Sequence, residues 1–228
     1  MRGAWFAVAG TPRARAVAAE GTVVFVPRWP SQAPRPDVAD AMADFSGITA
    51  QLACAVRFAR SEAERYGGDP ADLSLFGHSA GAQVASLVAL IDPDVSSECL
   101  AMASSAVPDD LVLFEGDWLL NGHPVWTSLL AQDRSSVWEA QTPWPHLADA
   151  PRLPVTILDS NDPSLAIGTQ ERIDESMALR DPDGSLRESL DRVGALADER
   201  LTETESQLLL AEELAALGYP VSFLDLPD

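Results

Sequence analysis

Leu73-Ser-Leu-Phe-Gly-His-Ser-Ala-Gly-Ala82 is the stretch whose reading decides the architecture. Leu73 to Phe76 is a short apolar run of strand type, and Ala80 to Leu90 reads as a helix with small residues nearest its start. Between them lies Gly77-His78-Ser79-Ala80-Gly81, a Gly-x-Ser-x-Gly turn. That pattern alone is weak, because glycine and serine are common. Its specificity comes from context, since a strand runs directly into it and a helix directly out of it. A bend this sharp lifts the Ser79 hydroxyl to the rim of a sheet and aims the free N–H groups of the helix start at whatever the hydroxyl attacks. It also demands small neighbours, which Gly77, Gly81 and Ala82 supply. The alternative is an ordinary strand-to-helix connection in which Ser79 merely caps the helix.

Outward from this turn, strands and helices alternate. Thr22–Pro27 is a β-branched run ended by proline, followed by a Pro-rich loop over Arg28–Pro36. Asp37 opens a long helical stretch to about Tyr66, stopped by Gly67-Gly68. Leu111–Glu115 and Pro154–Asp159 read as further strands, Glu203–Leu217 as an amphipathic helix closed by Gly218, and Val221–Asp225 as a last strand. Buried strands separated by helices predict one α/β domain over residues 1–228, a mostly parallel sheet with helices on both faces. Two segments break the rhythm. Residues 117–150 carry four of the six tryptophans, as a cap or acyl pocket would, or as ordinary packing would. Residues 168–202 are densely charged and read as a surface insertion, helical and solvated, or else a lid.

Composition removes whole classes of function. Acidic residues number 35 against 15 basic ones, a formal charge of −20 that repels phosphate backbones, so no nucleic-acid partner is expected. Lysine is absent, which excludes a Walker lysine, a Schiff base to pyridoxal phosphate and a serine-lysine dyad. Cys54 and Cys99 form no metal pattern and are expected as buried free thiols; His78, His123 and His146 show no zinc spacing. No metal and no cofactor are expected. No apolar run is long enough to span a membrane, and Ala4–Ala9 is too short and too closely followed by arginines for a signal peptide. A cytoplasmic location is the default expectation.

The stretch Arg65-Tyr-Gly-Gly-Asp-Pro-Ala-Asp-Leu-Ser-Leu-Phe-Gly-His-Ser-Ala-Gly-Ala82 resembles the carboxylesterase branch of the α/β-hydrolases, including hormone-sensitive-lipase-like esterases and arylformamidases. The resemblance implies a serine hydrolase acting by acyl transfer through Ser79 on a small-molecule ester or amide. In those enzymes a His-Gly-Gly-x-Trp segment supplies oxyanion-hole N–H groups. Met1-Arg2-Gly3-Ala4-Trp5 is similar to it, which would make Gly3 and Ala4 donors beside the N–H of Ala80. The family's acid follows the penultimate strand in an Asp-Pro turn, which implies Asp162 within Asp159-Ser-Asn-Asp-Pro-Ser164; Asp159 is the competitor.

The match departs from the family at its edges. Chain order should run serine, acid, histidine, yet no histidine follows Asp162. His78 should point away from the site, and His123 or His146 could serve only if the geometry were rebuilt. The resemblance therefore implies a hydrolase fold lacking its leading strands and its last loop and helix. Either the chain is a fragment of an active esterase or it is a degenerate, hydrolase-like protein, and weak or absent activity is expected. An arylformamidase-type amide hydrolase is the alternative chemistry. A non-catalytic binding protein is the alternative class, and an uncovered edge strand at Thr22–Pro27 would favour strand addition or a homodimer.

Overall fold

The computed structural model of the chain describes residues 3–6, 11–27, 38–115, 143, 146–160, 166–169 and 200–226. In chain order the elements are β1 (Gly3–Phe6), α1 (Thr11–Ala19), β2 (Val23–Phe25), α2 (Val38–Glu62), β3 (Leu73–His78), α3 (Ala80–Ile91) and α4 (Ser97–Met102). They continue as β4 (Asp110–Phe114), β5 (Val155–Asp159), β6 (Ala166–Thr169), β7 (Arg200–Thr202), α5 (Glu203–Ala216) and β8 (Val221–Asp225). Six strands form one sheet in the order β2-β1-β3-β4-β5-β8, with every adjacent pair parallel.

Burial alternates along β3. Leu73, Leu75 and Gly77 are buried, while Ser74, Phe76 and His78 are only half-buried. The buried set faces α3, because a Cβ on Gly77 would strike the α3 backbone at Gly81 and Ala82. His78 and its partner Phe114 in β4 are one residue out of step with Gly77 and Leu113, so they face the other way. The Arg13 guanidinium of α1 sits 5.2 Å from the Phe114 ring centroid, which places α1 on that opposite side. Helices therefore cover both faces, as parallel strands require.

The core lies on the α3 side. Leu52, Ala53 and Val56 of α2, Val84, Leu87 and Val88 of α3, and Leu210 and Leu214 of α5 pack on Leu75, Leu111, Val155 and Ile157 of the sheet. Arg57 is buried among them, with Nη2 donating to Asp92 Oδ1 at 2.7 Å and Nη1 to the Ala53 carbonyl. Asp92 ends α3 in the left-handed conformation and also accepts from Ser105 Oγ and the Ala106 N–H. Arg152 and Tyr219 tie the segment before β5 to the one before β8. Arg152 donates to the Leu147, Ala148 and Leu217 carbonyls and to the Tyr219 hydroxyl, and that hydroxyl donates to the Leu147 carbonyl.

One expectation is corrected here. Cys54 and Cys99 are not free thiols: they form a disulfide with a Cα–Cα separation of 5.1 Å, joining α2 to α4. A sequence separation of 45 residues gives no hint of this pairing, which arises from the packing of α4 on α2. Of the charged segment 168–202 only the two ends are described, and they are strands. Gly168 and Thr169 of β6 pair antiparallel with Leu201 and Arg200 of β7, and Thr202 then caps α5 in a capping box with Glu205. The rest of that segment, and most of the Trp-rich segment 117–150, lie outside the described residues. β2 forms one edge of the sheet, with the aromatic rings of Phe25, Phe58 and Tyr66 packed edge to face beside it.

Candidate active site

The site is built where the parallel strands end. His78, Phe114, Leu158 and Leu224 stand side by side as successive register partners across β3, β4, β5 and β8. The next residue of each strand is Ser79, Glu115, Asp159 and Asp225, so a hydroxyl and three carboxylates share the carboxyl rim of the sheet. Open parallel sheets place their ligands at this rim.

Ser79 is exposed and sits between β3 and α3 with φ 53 and ψ −124, a conformation that L-residues rarely adopt. A capping serine has an extended backbone and accepts an N–H from the first helical turn. Ser79 has neither property, since its side chain makes no capping bond. The bend is instead held by the backbone. Its N–H donates to the Phe114 carbonyl at 2.8 Å, and its carbonyl accepts from the Ala82 and Gln83 N–H groups at 2.9 and 3.3 Å. Gly77 is required for the same reason, because an added Cβ would lie 2.5 Å from Ala82 Cα and 2.6 Å from the Gly81 carbonyl carbon.

The His78 side chain contacts Phe114 and Glu115. Its ring lies 5.0 Å from that of Phe114, and Nε2 donates to Glu115 Oε2 at 2.7 Å. Glu115 itself has a left-handed φ of 52. His146 lies in the turn before β5, its N–H bonded to the Pro143 carbonyl, and His123 falls outside the described residues.

Asp162 also lies outside the described residues. Asp159 is 1% exposed, with Oδ1 accepting from Gln207 Nε2 at 2.8 Å, while Oδ2 is buried with no hydrogen-bond partner among the described residues. Gln207 Oε1 is likewise buried and unpaired. A carboxylate fixed through one oxygen and open at the other is the arrangement that an orienting acid needs. Nothing in the local sequence singles out Gln207 or Glu115. Their partners lie 48 and 37 residues away, and only strand adjacency brings them together.

Gly3 and Ala4 are not brought to Ser79. They pair with Leu73 and Ser74, at the opposite end of β3, roughly 15–20 Å from Ser79 along the strand. The expectation that they donate to an oxyanion took its position from the Trp5 match, whereas β1 places the whole Gly3–Phe6 run inside the sheet. Ala80, which opens α3, stands directly beside the serine. Among the described residues no cluster of histidine, cysteine and carboxylate could hold a metal ion, and no helix is long and apolar enough to cross a membrane.

Residues 39–108 match the family model described as BD-FAE, a span running from α2 through the Ser79 turn to the residues before β4. Among solved structures, the chain is similar to an acetyl ester-xyloside bifunctional hydrolase from Caldicellulosiruptor lactoaceticus, with a TM-score of 0.61 at 18% identity. That match covers 100% of this chain and 73% of the other. The apo form of Thermogutta terrifontis esterase 2 matches with a TM-score of 0.58 at 17% identity, covering 99% of this chain and 71% of that one. The same esterase phosphorylated by paraoxon matches at 0.55 and 17%, covering 99% and 70%. No curated protein matches the sequence. The chain has the α/β-hydrolase fold.

Proposed function

We propose that the chain is a serine hydrolase that cleaves a small carboxylic ester by acyl transfer through Ser79. The observation that carries this reading is the backbone of Ser79, an exposed residue held at φ 53 on the carboxyl rim with no capping role for its side chain. In the reaction, Ser79 Oγ adds to the ester carbonyl and the C=O electrons move onto oxygen. In this reading the Ala80 N–H, at the start of α3, stabilises that oxyanion. Collapse breaks the ester C–O bond, the alcohol departs with the serine's proton, and water then releases the acid from the acyl-enzyme.

Asp162 is the acid that the family resemblance proposes. Asp159 is its rival, supported by a buried carboxylate that Gln207 fixes through one oxygen. No general base is assigned among the described residues; His78 is held through Nε2 by Glu115. Support for ester chemistry also comes from the structural neighbours, an esterase and an acetyl ester-xyloside bifunctional hydrolase, whose chemistry is carried over here as part of the proposal.

The test is hydrolysis of p-nitrophenyl acetate and of N-formylkynurenine by the chain and by its Ser79→Ala variant. Ester cleavage that disappears in Ser79→Ala supports the proposal. Cleavage of the formamide alone moves the assignment to an arylformamidase-type amide hydrolase. Equal residual rates in both proteins overturn it.

A further inference from the structure

We propose that Glu115 is a positioning residue for the Ser79 turn, acting through His78; this rests on the reading of Ser79 as the nucleophile. The peptide unit joining His78 to Ser79 donates its N–H to the Phe114 carbonyl at 2.8 Å, which belongs to the unit joining Phe114 to Glu115. The side chains flanking these two units are joined as well, His78 Nε2 to Glu115 Oε2 at 2.7 Å. The bend is thus tied to the end of β4 twice, once by backbone and once by side chain.

The backbone at Glu115 shows that the second tie is not incidental. Among the described residues, Ser79, Asp92 and Glu115 are the non-glycine positions with positive φ. Ser79 is the bend itself. Asp92 ends α3, and its carboxylate is held by Arg57, Ser105 and Ala106. Glu115 follows the last residue of β4 and caps no helix among the described residues, and glycine would adopt its φ of 52 without strain. The position carries a long carboxylate instead, and that carboxylate holds His78. Strained residues persist where their surroundings over-determine them, and they cluster at functional sites.

The imidazole is fixed on its other side too. Its ring packs on Phe114, and the Arg13 guanidinium lies over the same Phe114 ring. His78 and Glu115 are 28% and 20% exposed, so the pair is partly shielded from competing water. Held through Nε2 by Glu115, His78 anchors the residue from which the turn springs. Loss of the anchor leaves only backbone bonds at the bend, Ser79 N–H to Phe114 and the Ala82 and Gln83 N–H groups to the Ser79 carbonyl, to keep the hydroxyl and the Ala80 N–H in mutual position.

The test is the rate of fluorophosphonate labelling of the folded chain, resolved into KI and kinact, with melting temperature measured alongside. Glu115→Gly relieves the backbone and removes the anchor. It is expected to keep the melting temperature and KI while lowering kinact about tenfold, because displacement of about an ångström is costly to a positioned nucleophile. Glu115→Gln retains an oxygen that accepts from His78, and its kinact is expected to stay within about twofold. Should Glu115→Gly fail to fold, His78→Ala severs the same tie and is expected to show the same loss.

An unchanged kinact in the variant that severs the tie overturns the inference, as does a loss in Glu115→Gln equal to that in Glu115→Gly. If the unmodified chain is not labelled at Ser79, the nucleophile reading fails and this inference falls with it. Labelling of the unmodified chain with no difference among variants overturns the positioning role alone.

Discussion

Arg57 Nη2 lies 2.7 Å from Asp92 Oδ1, so the interior of α2 is pinned to the left-handed residue that ends α3, the helix that begins at Ser79. Arg57 is 2% exposed, and Asp92 is its one ion-pair partner among the described residues. Removing Asp92 strands the buried Arg57 guanidinium, whereas Asp92 itself is 28% exposed. Asp92→Ala is expected to lower stability by about 3–5 kcal/mol, read as the shift in a urea unfolding curve. A loss below about 1 kcal/mol would show that water reaches Arg57 and that the pair is a surface contact in effect.

The Cys54–Cys99 disulfide closes a loop of 45 residues between α2 and α4. On the chain-entropy estimate such a link stabilises by about 4 kcal/mol. The Cys54→Ala/Cys99→Ala variant is expected to melt well below the parent, and the parent's melting temperature should fall on adding a dithiol reductant. Thiol titration of the freshly isolated, denatured protein should find no free thiol. Such a result also argues against the reducing cytoplasm expected from the sequence, because disulfides persist in oxidising compartments. Two free thiols would restore the cytoplasmic expectation and remove the link.

Gly77 leaves no room for a side chain, since a Cβ would meet the backbone of Gly81 and Ala82. Backbone cannot swing aside as a flexible side chain can. Gly77→Ala is therefore expected to destabilise by about 1–3 kcal/mol and to abolish the reactivity of Ser79, because the helix start must shift to make space. Denaturant unfolding and serine labelling measured on the same sample check both halves.

The Tyr219 phenol is held above its ordinary pKa of 10 by burial, which outweighs the opposing pull of the Arg152 guanidinium. Its folded pKa exceeds its unfolded one, so its contribution is complete below about pH 10 and is lost as pH rises through the folded value. Stability should thus fall with rising pH above about 10, and Tyr219→Phe should flatten part of that slope. An identical slope in parent and variant would place the alkaline loss elsewhere.

Most of the sheet was legible before any coordinates. The runs at Thr22–Pro27, Leu73–Phe76, Leu111–Glu115, Pro154–Asp159 and Val221–Asp225 all contain strands, and the helix after Ser79 begins at Ala80. These segments combine apolar runs with turn residues, so local chemistry and the tertiary structure agree. β1 was hidden because it is only four residues long, α4 because it has six, and the β6–β7 pair because its strands are short and lie at the ends of a charged stretch. The Ser79 turn was visible because its requirement for small residues is local. His78–Glu115, Asp159–Gln207 and Cys54–Cys99 were not, since each is made by elements that only the fold brings into contact. A histidine expected to face away from the serine did carry one clue: its partner had to come from the end of a neighbouring strand.

The most direct measurement is peptide mapping of the folded chain after exposure to a fluorophosphonate. A serine lifted onto the sheet rim by a strained bend predicts one adduct, on Ser79, formed slowly and lost when the protein is labelled in denaturing urea. No adduct at residue 79, or a scatter of adducts over exposed serines at equal rates, would contradict it.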